Sequence, residues 1–231
     1  VPSFDSLKNK QRELIRKSLD GAVFIWPATD GAGAATPLIT SMTAKTGTAP
    51  NEVIDLSVLP TMAQSLGLLT NDGASFASEV TQSDVTSWGE VSPTRTDIIS
   101  DTTTLNVTAQ ETKALTIGLL SGVDVAALTP DEDTGEVNFA KPTRPVGKLY
   151  RGFSIAVDLA EGGEIYLGRL LPKMKKSNQG EQVYGGGEDP ILYPLTFTGQ
   201  VDDAAGYSER WFFGGPGWQA LLDEMGFDTT P

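Results

Sequence analysis

Residues 97–122 read DIISDTTTLNVTAQETKALTIGLLSG, and the change of period inside this stretch decides the fold class. Leu105, Val107 and Ala109 alternate with Thr104, Asn106 and Thr108. That period of two predicts a strand with one buried face and one polar, uncharged face. From residue 111 the spacing changes. Ala114, Leu115, Ile117, Leu119 and Leu120 fall on one broad side of a helix, which Ser121 and Gly122 stop. A strand running almost directly into a short helix is the clearest unit in the chain.

Outward from this unit the pattern is mostly of short strands. Asn71-Asp72-Gly73 is a strong turn signal, and 76–80 and 84–90 read as short strands beside it. Downstream, Phe153, Ile155, Val157 and Leu159 alternate, residues 161–164 (EGGE) turn the chain, and 165–171 return, predicting a hairpin. Lys173, Lys175 and Lys176 form a basic cluster past Pro172. Leu195, Phe197 and Val201 then alternate with Thr196, Thr198 and Gln200, a second strand with an uncharged polar face.

The ends and loops are more irregular. Residues 4–19 carry a thin apolar stripe (Phe4, Leu7, Leu14, Ile15, Leu19) among charges and predict an amphipathic helix within an N-terminal arm, 1–21. Residues 22–26 predict a strand stopped by Pro27. Residues 27–50, rich in Gly, Ala, Thr and Pro, read as one long loop of the kind a partner orders. Residues 204–231 form an aromatic segment, with a helix expected over 218–225 behind Pro216. The whole predicts a single domain, 1–231, mainly β with a few short helices: a β-sandwich or part-barrel.

Composition removes most chemistry. The 231 residues include no cysteine and no histidine. Thiol and imidazole catalysis, disulfides and His-ligated zinc are therefore excluded. No run is long and apolar enough for a membrane helix, and the N-terminal segment does not read as a signal peptide. Asp131, Asp133 and Glu136 suggest a calcium loop, but Gly135 and Glu136 occupy the positions where an EF-hand needs an oxygen ligand and a glycine, so an acidic turn is expected. Residues 184–189 (YGGGED) lack the Lys-Ser/Thr ending of a phosphate loop. The paired carboxylates Glu161/Glu164, Glu188/Asp189 and Asp202/Asp203 are sequence neighbours, not groups on facing walls. No enzyme, cofactor or metal site is expected.

Net charge is −13, which does not suit a protein that grips phosphates. The charge is also segregated. Residues 141–176 hold eight basic residues against three acidic, +5, while 21–140 hold three against fifteen, −12. Such separation suits basic and acidic faces meeting across copies of one chain.

Four stretches in order resemble one family. VTSWGEVSPTRTDIISDTTTLNVTAQETKALTIGL (85–119), IYLGRLLPKM (165–174), DPILYPLTFTGQVDD (189–203) and WFFGGPGWQALLDEMGF (211–227) are similar to the major tail tube proteins of long, non-contractile-tailed bacteriophages, especially phages of actinobacteria. The resemblance spans nearly the whole chain, and it is the ordered set rather than any one motif that makes it specific. It implies a tail tube domain whose sheets, from six copies, close into one barrel around a channel. The homo-hexameric rings would stack head to tail around a tape-measure protein, with tail terminator and distal tail proteins at the ends. The location implied is the virion tail, assembled in the host bacterial cytoplasm, with no membrane. DNA would pass through without specific binding during genome ejection.

On that reading Thr104, Asn106, Thr108, Thr196, Thr198 and Gln200 are expected to face the lumen, because a wall that lets DNA slide should not attract phosphates. Lys173, Lys175 and Lys176 are expected to meet Asp131, Asp133, Glu188 and Asp189 of neighbouring copies, and the 27–50 loop to touch the next ring. A secretion-system tube protein and a carbohydrate-binding β-sandwich of a virion or cell surface are the alternatives. For the second of these, Trp26, Trp88, Trp211 and Trp218 would supply stacking faces.

Overall fold

The computed structural model describes residues 4, 8, 10–48, 52–143, 147–186 and 190–228. Ten strands account for its architecture: β1 Asp20–Pro27, β2 Thr43–Thr46, β3 Val53–Leu56, β4 Gln64–Ser65, β5 Leu69–Val85, β6 Arg95–Ala109, β7 Leu149–Ala160, β8 Gly163–Gln179, β9 Tyr193–Gly199 and β10 Arg210–Gly214. The helices α1 Ala114–Ser121 and α2 Pro216–Ala220 accompany them. Eight strands form one antiparallel sheet in the order β4-β1-β7-β8-β9-β6-β5, with β10 on β8, and β2-β3 form a separate pair.

The first and last strands of that path, β4 and β5, are joined by residues 66–68 alone. So short a link forces the sheet to curl back on itself. The link is tied at both ends, with Leu66 N–H donating to Val23 O (2.9 Å) and Gln110 N–H to Leu68 O (2.9 Å). Inside the curl lies one core: Val23 and Ile25 of β1, Leu105, Val107 and Ala109 of β6, Leu171 and Met174 of β8, and Leu195 and Phe197 of β9. Helix α1 adds Leu119. It ends as its sequence predicts, with Gly122 left-handed at φ 78°. The alternation of 104–109 is therefore realised as buried Leu105, Val107 and Ala109 against outward Thr104, Asn106 and Thr108.

A second core sits on the opposite face. Trp26, Phe153, Ile155, Tyr166, Leu170 and Phe212 are covered there by Ile39 and Met42. The segment expected as a long 27–50 loop is thus anchored. Trp26 Nε1–H donates to Pro37 O (3.2 Å) and Thr36 Oγ1–H to Pro27 O (2.7 Å), and β2 pairs with β3.

Other expectations are corrected by the partners each segment finds. Residues 71–73 do not reverse the chain. They form a bulge inside the 17-residue β5, where the register with β6 jumps between Leu69/Ala109 and Ala74/Val107. Gly73 supplies the positive φ there, 62°. The two short strands expected around it are one, and the reversal comes at 86–94, where Thr94 N–H donates to Val85 O (2.8 Å).

Phe4 is helical, but from residue 10 onward the described N-terminal arm is not an α-helix. It contains a single 3-10 turn at Arg12–Leu14 and then runs extended, Leu19 N–H donating to Val157 O (2.9 Å). Its stripe was too thin to be buried: Ile15 and Leu19 stay 75% and 61% exposed, and short helices need tertiary packing to persist. The C-terminal helix begins at Pro216 and stops at Ala220, leaving 221–226 as turns. The lysines past Pro172 lie within β8, and Val201 lies beyond the end of β9 and is exposed.

Candidate functional site

The polar faces of the two strands noted in the sequence are brought side by side. Thr104 stands opposite Thr198, and Asn106 opposite Thr196. Directly opposed residues of antiparallel strands share a face, so both pairs extend across four strands. One row runs Lys175 (β8), Thr198 (β9), Thr104 (β6), Ala77 (β5), and the next runs Asn178, Thr196, Asn106, Ser75. Thr108 continues this face opposite Pro194. Gln200 lies just past β9, its N–H donating to Lys173 O (2.8 Å). The surface is internally bonded: Thr196 Oγ1–H donates to Asn106 Oδ1 at 2.8 Å. Charge enters at the margins, with Lys173 and Lys175 on the β8 side and Glu79, opposite Thr102, on the β5 side.

This four-stranded surface has open edges along β5 and at the end of β8. β5 is the last strand of the path, and among the described residues nothing pairs with its outer edge. At the other margin β7 pairs with β8 only as far as Leu149/Lys175, so residues 176–179 of β8 overrun it. Past Thr104, β6 also loses β9 as a neighbour. The outer part of β5 and β6 is therefore a two-stranded arm beyond the body, with Val80, Val85, Trp88, Val91, Ile98 and Ile99 all exposed; Trp88 is fully so. A lone hairpin is marginal in water, and exposed apolar side chains along it suit a partner.

The root of the arm is clamped in a way the sequence did not announce. The Arg169 guanidinium lies 4.0 Å from the ring centres of both Phe76 and Trp211. Its Nε–H donates to Glu209, which also accepts from Thr103 Oγ1–H (3.2 Å). Phe76 comes from β5, Thr103 from β6, Arg169 from β8 and Trp211 from β10, so one cation ties four strands. Trp211 leads into a partly exposed aromatic chain, in which Phe213 stacks on Trp218 at 5.0 Å and Trp218 meets Phe227 at 5.8 Å.

The charged candidates separate into different roles. Lys176 turns inward, donating to Leu120 O at the end of α1 (2.6 Å), a favourable place for a cation. Burial, with Lys141 nearby, lowers its pKa. Lys173 lies 3.8 Å from Asp203 of its own chain. Lys175 has no carboxylate within ion-pair reach among the described residues. Asp131 organises the acidic turn instead of reaching outward: it accepts from Thr134 Oγ1–H and Thr134 N–H (both 2.8 Å) and from Asp133 N–H (3.1 Å), and the Thr134 bonds foremost hold its pKa below the usual range. Asp133 is exposed on that turn. Glu188 and Asp189 lie outside the described residues. Of the paired carboxylates, Asp202 is buried against Arg151 (3.6 Å) and holds Ala204 N–H and Ala205 N–H, while Glu164 accepts from Tyr166. These are structural bonds. Among the described residues no helix is long and apolar enough to cross a membrane.

The sequence matches no known family profile, and no curated protein is similar to it.

Proposed function

We propose that this chain is the building block of a tube: copies close into rings, six to a ring, and the rings stack head to tail as the tail tube of a long, non-contractile bacteriophage tail. The tape-measure protein would fill the channel until DNA replaces it, and terminator and distal tail proteins would cap the ends. The observation that carries this reading is the four-stranded surface β8-β9-β6-β5, polar with charge only toward its margins, and with unpaired edges along β5 and along residues 176–179 of β8. Its strands alternate in direction. A second copy's β8 beside the first copy's β5 therefore continues the antiparallel pattern, and repetition around a ring leaves no free edge. Thr104, Asn106, Thr108, Thr196, Thr198 and Gln200 are then the wall: hydrated, without the cations that would hold phosphates in a salt-dependent way. The resemblance of four ordered stretches to tail tube proteins supports the same conclusion.

Electron microscopy of the concentrated, purified protein tests it. Hollow rings or tubes are expected. A monodisperse monomer in every salt and crowding condition would exclude the proposal.

A further inference from the structure

Resting on the ring reading above, the geometry points to a specific occupant for one cleft: we infer that the groove beside the overrunning end of β8 receives the β5–β6 arm of a second copy, with lysines of the groove facing carboxylates of the arm. The groove encloses about 430 Å³ and is lined by Lys141, Lys148, Lys175 and Lys176, with Leu119 and Tyr150 as its apolar floor. Among the described residues, no acidic side chain lines it. Lys148 has only Asp124 nearby, at 3.5 Å, and Lys176 is committed to Leu120 O. Lys141 and Lys175 have no acidic partner among the described residues. Four ammonium groups crowded together in a chain of net charge −13 repel one another unless something negative arrives.

The arm supplies it. Between Ala77 and Thr103 there are five acidic residues, Glu79, Asp84, Glu90, Asp97 and Asp101, against one basic, Arg95, a net −4. Asp97 is paired with Arg95 at 2.7 Å. Asp84 and Asp101 accept only from the hydroxyls of Thr96 and Ser78, so they and Glu79 keep their charge unneutralised.

The arm also fits the groove in a way a free anion does not. The groove borders residues 176–179 of β8, an unpaired strand edge, and the arm carries the unpaired edge of β5. Docking joins the two edges by backbone hydrogen bonds, while the charges choose the partner and the register. Lys175 and Glu79, at opposite corners of the same sheet face, become neighbours at the seam. Their charges then cancel where they would otherwise mark the channel wall.

Charge reversal with a mixing arm tests this. Lys141→Glu with Lys175→Glu reverses the groove; Glu79→Lys with Asp84→Lys reverses the arm. All four positions are on the surface, and unchanged circular dichroism and melting establish that each variant folds. Each variant alone should lose self-association by at least about tenfold, read by sedimentation. An equal mixture of the two should recover it, because each reversed arm now meets a reversed groove. In the wild type, carbodiimide cross-linking between isotope-labelled and unlabelled copies should join arm carboxylates to groove lysines.

If the wild type forms rings and the groove variant forms them equally well, the docking is wrong and the ring reading stands. If the wild type yields only arm-to-groove cross-linked dimers, the docking stands and the ring reading falls. Monomers without intermolecular cross-links overturn both. Duplex DNA bound by the isolated wild type, with binding lost in the groove variant and no arm cross-links, would assign the lysines to nucleic acid and overturn the docking.

Discussion

Phe197 and Thr196 are neighbours on β9 with opposite obligations. Phe197 is fully buried in the inner core, its ring 6.4 Å from that of Tyr150, whereas Thr196 faces outward and its hydroxyl is bonded to Asn106. Phe197→Ala should cost about 3–5 kcal/mol in urea unfolding, and Thr196→Ala within about 0.5 kcal/mol. Equal costs would mean the face assignment is inverted. Tyr166 offers a titration. Its hydroxyl donates to Glu164, and that bond foremost, with burial, pushes its pKa up to about 12 from the ordinary 10.0. A raised folded-state pKa contributes stability that is complete below pH 10.0 and is lost as pH rises toward about 12. Burial also raises the pKa of Tyr150, so tyrosinate absorbance should show two late-titrating tyrosines, and Glu164→Gln should bring only the Tyr166 transition down toward the ordinary value.

Among the elements, the β5–β6 hairpin depends most on what lies next to it. The clamp of Arg169 between Phe76 and Trp211 holds only its root. Removing the cation by Arg169→Ala should cost about 1–3 kcal/mol and speed amide exchange at 102–105, leaving helix α1 unaffected. Farther out the hairpin has no third strand. In isolated chains its amides at 80–100 should exchange fast, and in assemblies they should become protected. Exchange that is slow and identical in both states would show that the arm needs no partner. Its unity was hidden in the sequence: Asn71-Asp72-Gly73 has turn chemistry, yet the chain uses it as a bulge because the residues beyond it find β6.

For the whole molecule, the decisive property is an antiparallel surface with open edges along β5 and the end of β8 and with charge kept to its margins. Placing a cation in its middle is a direct probe. Thr104→Lys with Thr196→Lys should leave the fold and the rings intact, since both positions face away from the core. It should also give the assembled tube a DNA affinity that falls steeply with salt. Binding indistinguishable from wild type would remove these residues from the wall. On the proposed docking, raising salt should dissociate the rings, because the pairing would join a lysine-lined groove to an arm of net −4.

What the sequence determined by itself is whatever repeats within a few residues. The alternation over 104–109 and 195–198, the change of period into α1, the glycine stop at Gly122 and the reversal at 161–163 are all visible as periodicity or turn chemistry, because each is set by neighbours in the chain. Tertiary structure alone decided the rest. It chose a bulge over a turn at 71–73, an extended run over a helix before Leu19, and a four-strand clamp around Arg169. It also put Lys175 on the same face as Thr198 and turned Lys176 inward. Each of these depends on strand register between segments distant in sequence, and register follows from which faces can be buried against which partners, a quantity no local window contains.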